Sequence, residues 1–140
     1  ERLVGSEMCI RDRLMIAEAE NEVNHGPNDL AYECINAVRE RAGIKKLAAN
    51  LDEESFRKAI KDERAMELCF EYTRRFDLIR WGDYYKLMQE QVDKAQADES
   101  WKFGINVYTY FNIPKSYNYF PIPANEIGSN GAIKTNNPGW

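Results

Sequence analysis

Glu63, Glu67 and Glu71 recur four residues apart, with Arg64, Arg74 and Arg75 close by. On a helix such carboxylates stand above one another on one face. Two of them could serve as an acid/base pair, as in glycoside hydrolysis, if their surroundings kept one protonated and the other ionised. Alternatively, each could meet a cation and hold two helices in register. A neighbouring arginine favours the ionised carboxylate, which suits an ion pair and spoils a general acid. The structural reading is preferred. Its expected network comprises Arg39, Arg41, Glu63, Arg64, Glu67, Glu71 and Arg74.

The elements that must position these groups follow from periodicity. Laid out at about 100° per residue, one face of residues 56–81 carries Phe56, Ile60, Glu63, Glu67, Phe70, Glu71, Arg74, Leu78 and Trp81. A surface helix would keep its charges off the apolar side. Charge on a packing face needs partners, and carboxylates at i, i+4 also repel one another. Asp52 caps this helix, with Glu53 and Glu54 in its first turn, where the helix dipole favours them. The pattern runs to about Glu71, bends near Tyr72-Thr73 and resumes through Trp81, and Gly82 separates it from a polar helix over 84–97.

Upstream, Leu14 to Asn24 reads as a helix with Ile16, Ala19, Glu20 and Val23 on one side. Gly26-Pro27 stops it. Asn28 or Asp29 caps a second helix, whose apolar face runs Leu30, Ala31, Cys34, Ile35, Val38 and Ala42 until Gly43 ends it. Two helices joined by so short a turn form a hairpin. After Ser100, Ile105–Tyr119 has the composition of a short strand or hairpin. Pro121-Ile122-Pro123 is extended, and the tail to Trp140 reads as a strap without regular elements. Phe120, Ile122, Ile127, Ile133 and Trp140 are its expected anchors.

Composition narrows the function classes. The 140 residues carry 19 basic and 23 acidic side chains, a net charge of −4 with both signs interleaved. A nucleic-acid partner would need clustered positive charge. His25 is the sole histidine, and Cys9, Cys34 and Cys69 are widely spaced. Neither zinc nor a disulfide framework is expected, and the thiols at 34 and 69 read as buried. No cofactor is implied. Residues 1–13 lack a clear helical or alternating pattern and resemble a translated sequencing-adapter scar, so they are expected to be a non-native or disordered lead-in. Residues 14–140 then read as a fragment of a longer protein.

Glu63-Arg64-x-x-Glu67-Leu68-x-Phe70-Glu71 followed by Arg74-x-x-Asp77-Leu78-x-Arg80-Trp81-Gly82 is similar to the ER-x-x-EL-x-FE…R-x-x-DL-x-RWG signature of the SusD/RagB family. Ala17-Glu18-Ala19-x-Asn21 and Asn36-x-Val38-Arg39-x-Arg41-Ala42-Gly43 resemble two upstream segments. Phe120-Pro121-Ile122-Pro123-x-x-Glu126-Ile127 and Asn136-Asn137-Pro138-Gly139-Trp140 resemble the closing ones. Tyr72 replaces a usual glycine, Gly131 a common proline and Thr135 a usual glutamine, which places local turn geometry in doubt.

The resemblance implies a mainly α fold, with a TPR-like helical hairpin, long helices and an irregular C-terminal strap. It also implies a non-catalytic, surface-exposed lipoprotein of the outer membrane in Bacteroidota. Such a protein binds oligosaccharides, or peptides, and works with a SusC-like TonB-dependent transporter. The N-terminal lipid anchor would lie outside this fragment. Most ligand contacts of the family lie upstream, so none is carried over. Among the aromatics of residues 101–120, which read mainly as packing, Trp101 is the candidate sugar-stacking residue because charged Glu99 and Lys102 flank it. A TPR-like interaction scaffold is the alternative, and finding an upstream signal peptide and lipidation cysteine would reject it. A glycoside hydrolase comes third, and glycan turnover would reveal it.

Overall fold

The computed structural model describes residues 2–97 and 112–140, with side chains from Ile10 onward. Among the described residues every regular element is a helix. The order is α1 (Arg2–Val23), α2 (Asp29–Arg41), α3 (Glu53–Glu67), α4 (Arg74–Arg80), α5 (Tyr84–Ala97), a 3-10 turn (Lys115–Asn118) and α6 (Ala124–Ser129). The chain divides into two compact units, Glu1–Arg74 and Arg75–Trp140.

In the first unit α1 packs against both α2 and α3. Its core joins Ile10, Leu14 and Ala17 of α1, Ala31, Cys34, Ile35 and Val38 of α2, and Phe56 and Ile60 of α3. Tyr32 meets Phe56 edge-on, with ring centroids 5.0 Å apart, and its hydroxyl accepts from the Leu51 N–H at 2.9 Å. Asn36 Oδ1 accepts from the Leu47 N–H at 2.9 Å, so the connector between α2 and α3 is pinned to α2 at two points. Asn21, fully buried, donates through Nδ2 to the Glu53 carbonyl at 3.2 Å and ties α1 to the start of α3.

Helix ends obey local chemistry. Asn28 and Asp52 are the N-caps, accepting from the N–H groups of Ala31 and Ser55. The Ser55 N–H bond holds the Asp52 carboxyl below its ordinary range. At the end of α2 the Gly43 N–H bonds Glu40 O and the Ile44 N–H bonds Arg39 O, a Schellman closure that needs a left-handed residue. Gly43 supplies it with φ +74°. α4 closes in the same way on Gly82, and α1 closes with His25 in the left-handed position.

Several expectations are corrected. α1 begins at Arg2 and not near Leu14. A helix, once nucleated, extends at little cost, and within residues 1–13 Ile10 is buried in the core. The register of α1 also differs. Leu14, Ala17 and Asn21 face inward, while Ile16 and Val23 are 40% and 78% exposed. Cys34 is buried, and burial pushes its thiol up, but Cys69 is exposed.

α3 stops at Glu67, four residues before the expected end. Phe70 and Tyr72 follow with φ of +66° and +60°. Tyr72 therefore occupies, at 90% exposure, a left-handed position where glycine is the residue expected from the resemblance. A non-glycine residue there costs about 1–2 kcal/mol, against about 0.4–1 kcal/mol for glycine's extra unfolded-state freedom. Tyr72→Gly is accordingly expected to raise the melting temperature by about 2–4 °C. Tyr72→Ala keeps the Cβ and should give no such gain. An equal rise in both variants would refute the backbone explanation.

In the second unit the tail closes on itself through side-chain-to-backbone bonds. Asn136 accepts from the Ile122 N–H at 2.7 Å and donates to Ile122 O at 3.3 Å. Asn137 donates to Phe120 O at 2.7 Å. Trp140 stacks on Tyr117 with centroids 5.5 Å apart, and its Nε1 donates to Ser116 O at 3.0 Å. The tail also contains a regular element after all, α6, for which Pro123 supplies a pre-set φ of −54° at the entry. The apolar anchors are less covered than expected. Phe120 is 51% and Trp140 47% exposed, while Ile122, Ile127 and Ile133 are half-buried. Phe120 instead stacks on Phe76, at 6.1 Å, with the Arg75 guanidinium 4.8 Å from its ring centre. Of the span 105–119, expected as a strand or hairpin, residues 105–111 lie outside the described residues, and Lys115–Asn118 form the 3-10 turn.

Candidate functional site

The carboxylates of α3 and the turn after it meet arginines from the first two helices. Arg39 Nη1 donates to Glu63 Oε2 at 2.6 Å, and Arg39 Nε donates to the Lys45 carbonyl at 2.8 Å. Arg41 pairs with Glu67. Glu71 pairs with neither of these arginines but with Arg11 Nε at 2.9 Å, from the lead-in that sequence reasoning set aside. α2 is amphipathic, and its last turn brings Arg39 and Arg41 over the end of α3. The Schellman turn at Gly43 then returns the chain so that Lys45 O can brace Arg39.

Burial differs along this seam. The Glu63 and Arg39 side chains are 6% and 20% exposed, those of Glu67 and Arg41 12% and 50%. Arg64 is buried beside Glu63, and Arg74 Nη1 donates to the Lys61 carbonyl at 3.2 Å. Two α2–α3 pairs stand side by side, Glu71 turns to α1, and Arg74 bonds backbone. A small cavity of about 130 Å³ lies among Ile10, Arg41, Glu67, Leu68 and Glu71.

A second ionic hub was not anticipated. Arg57 of α3 donates to Glu22 Oε1 and Oε2 at 2.6 and 2.7 Å and to Glu53 at 2.5 Å, and it also pairs with Glu54. These bonds hold the Glu22 carboxyl below its ordinary range and push the Arg57 guanidinium above its own. Glu53 and Glu54 lie four and three residues before Arg57, a spacing visible in the sequence. Glu22 is not legible in the sequence, because α1 carries apolar residues on two sides and periodicity does not fix which side faces inward.

On the far side of α2 an open groove of about 680 Å³ is lined by Arg13, Asp29, Tyr32, Glu33, Asn36, Glu40, Lys46 and Asn50, among others. Its size lies within the ordinary range of ligand clefts. Glu40 and Lys46 pair across its rim at 2.9 Å. Trp101, the candidate sugar-stacking residue, lies outside the described residues, as do Phe103, Tyr108, Tyr110 and Phe111. Among the described residues no three histidine, cysteine or acidic side chains are gathered to hold a metal ion.

The chemistry of the seam is that of a clamp, since each of its three carboxylates is engaged by a guanidinium. The sequence matches the SusD family over residues 14–140, a stretch that contains both α2–α3 pairs. The chain belongs to the SusD family. It is 38% identical over 123 residues to the SusD-like protein P25 of Formosa agariphila, covering 86% of this chain and 21% of that protein. The SusD-like protein P2 of the same organism is 29% identical over 134 residues, covering 91% and 24%. A crystal structure of a SusD homolog from Bacteroides thetaiotaomicron superposes with a TM-score of 0.73 at 39% identity, over 91% of this chain and 25% of that one. The chain therefore spans about a fifth to a quarter of the length of its SusD-family relatives.

Membership gives the signature residues a physical meaning in this SusD-family chain. Asn21, Asn36, Arg39 and Gly43 fasten α1, the connector and α2. Glu63, Glu67 and Glu71 receive the arginines. Asp77 pairs with Arg80 at 3.0 Å, and Gly82 closes α4. Asn136, Asn137 and Gly139 lock the tail. These residues hold the scaffold together.

Proposed function

We propose that the protein containing this chain is a non-catalytic ligand-binding component of an outer-membrane nutrient-uptake system. It binds oligosaccharide and passes it to a SusC-like TonB-dependent transporter, and a lipid anchor holds it on the cell surface. The observation that carries this reading is the SusD-family match over residues 14–140. The ion-pair seam supports the non-catalytic part, because each of its carboxylates is taken up by a guanidinium from another helix. Within this scheme the present chain is the framework, and most ligand contacts belong to the remainder of the longer protein. Peptide is the other ligand class within the reading.

The test uses the full-length protein, tagged at its C-terminus and expressed in its native host. It is expected in the outer-membrane fraction, open to protease on intact cells, and co-purifying with a TonB-dependent transporter. Isothermal titration should show saturable binding of oligosaccharides that are recovered uncut by chromatography. A cytoplasmic protein, or one that shortens the oligosaccharides, would overturn the reading.

A further inference from the structure

Asparagine is a thermolabile residue, because the backbone nitrogen that follows it can attack its side-chain amide. Bulk on the following residue hinders that attack, and glycine offers none. Asn130 is the one asparagine of the sequence that precedes a glycine. It ends α6 as the C-cap, its own N–H donating to Glu126 O at 2.9 Å. It then opens a turn, in which the Ile133 N–H donates to Asn130 O at 2.9 Å and the Ala132 N–H to Asn130 Oδ1 at 3.0 Å. Asn130 and Gly131 are both exposed. Among the described residues, neither the Gly131 N–H nor Asn130 Nδ2 donates a hydrogen bond. Nucleophile and leaving group are both unengaged.

The backbone does not ask for glycine here. The φ of Gly131 lies outside the left-handed region, and a Cβ there would meet nothing within 4 Å. Gly131 stands second in its turn, where proline is favoured, and proline is the residue it replaces in the family pattern. Proline has no N–H and cannot make the attack. The replacement therefore adds reactivity and nothing that the turn requires. Other asparagines are shielded in ways Asn130 is not. Asn21 is fully buried, Asn125 lies within α6, and Asn136 is bonded to both the N–H and the carbonyl of Ile122. Asn137 precedes Pro138.

We infer that Asn130-Gly131 is a self-modification site, at which the chain converts its own asparagine to aspartate and isoaspartate. The Gly131 nitrogen gives its proton to hydroxide and attacks Asn130 Cγ. The new N–Cγ bond replaces the Cγ–Nδ2 bond, Nδ2 takes a proton from water, and ammonia leaves. Water then opens the resulting cyclic succinimide. Opening at Cγ gives an aspartate, and opening at the backbone carbonyl carbon gives an isoaspartate, with the main chain running through Cβ and Cγ. The balance is one water consumed and one ammonia released, with no oxidant or reductant. Either product puts a negative charge at the C-terminal end of α6, where the helix dipole disfavours it. The isoaspartate also lengthens the main chain within the turn. The inference is independent of what the protein binds.

The test incubates the folded full-length protein in warm, mildly alkaline buffer and maps its tryptic peptides by mass spectrometry. Cleavage after Lys115 and Lys134 releases residues 116–134 as one peptide. That peptide should gain the amide-to-acid mass step at Asn130 in two separable products, at a rate that rises in proportion to hydroxide. Asn118 and Asn125, in the same peptide, should stay unchanged. The isoaspartyl product should accept a methyl group from protein isoaspartyl methyltransferase. Asn130→Asp should co-elute with the other product and take no methyl label before incubation. Gly131→Pro should abolish the reaction while the melting temperature is kept, and Gly131→Ala, which retains the N–H, should slow it severely. Three results would overturn the inference. The first is an unmodified peptide after incubation of the folded protein. The second is modification confined to urea-unfolded protein, which would show that the turn protects Asn130. The third is equal modification in Gly131→Pro, which would mean direct hydrolysis of the side chain by water.

Discussion

Replacing Arg39 with alanine is expected to cost about 3–5 kcal/mol of folding stability, because it strands a buried carboxylate. Glu63 is 6% exposed, and Arg39 Nη1 pairs with it at 2.6 Å across the α2–α3 interface. The loss also frees Lys45 O, since Arg39 Nε braces the connector. Arg41→Ala is the internal comparison. Its side chain is 50% exposed, so its pair with Glu67 is worth about 1 kcal/mol or less. Urea unfolding with a common slope should therefore rank Arg39→Ala far below Arg41→Ala in midpoint. Equal costs would mean that burial does not govern the seam. Arg39→Met combined with Glu63→Leu should recover most of the loss, since apolar replacement of both partners removes the stranded charge.

The contrast between the two pairs also bears on legibility. Charge on a packing face announces, from sequence alone, that partners must exist. Which guanidinium meets which carboxylate depends on helix register, and register is where sequence reading was weakest. α1 carries apolar residues on both sides, so periodicity could not choose between Leu14-Ala17-Asn21 and Ile16-Ala19-Val23. That one ambiguity hid Glu22 and with it the Arg57 hub. Setting aside residues 1–13 hid Arg11 as the partner of Glu71. The α2 and α3 starts were legible for the opposite reason. Asn28, Asp52 and Gly43 act within four residues of themselves, and no tertiary contact is needed to predict a cap or a left-handed closure.

The end of α3 lies between these cases. Residues 68–71 continue the helical pattern, so composition predicts continuation, yet the helix ends at Glu67. Phe70 and Tyr72 then adopt left-handed backbone without glycine's help. Glu71, which lies between these two residues, is tied to α1 by its bond to Arg11. The sequence carried a hint in the substitution of Tyr72 for a usual glycine. The short α6 after Pro123 had no such hint, because six residues are too few to show a period.

Gly139→Ala is the second large effect expected, and it is confined to the tail. A Cβ at Gly139 would stand 2.6 Å from Ser116 Cβ, and the backbone there has φ +88°. The left-handed backbone alone disfavours alanine by about 1–2 kcal/mol, and an overlap that forces backbone apart adds about 1–3 kcal/mol. The closure that opposes this penalty is modest. It consists of the Trp140–Tyr117 stack, the Trp140 bond to Ser116 O and the Asn136 and Asn137 bonds to Ile122 and Phe120. Aromatic pairs are worth about 0.5–1.5 kcal/mol beyond their buried area, and single hydrogen bonds about 0.5–1.5 kcal/mol net. Penalty and closure are thus of the same size, and the tail is expected to yield by detaching, before the helices do. Hydrogen exchange should speed up at the Ile122 and Trp140 amides while Phe56 and Ile60 of α3 stay protected. Asn136→Ala, which removes only the Ile122 clamp, should give a milder form of the same pattern. If Gly139→Ala leaves the Ile122 amide as protected as before, the closure does not depend on glycine. If it melts α3 as well, the tail is no separate fastening but part of one cooperative core.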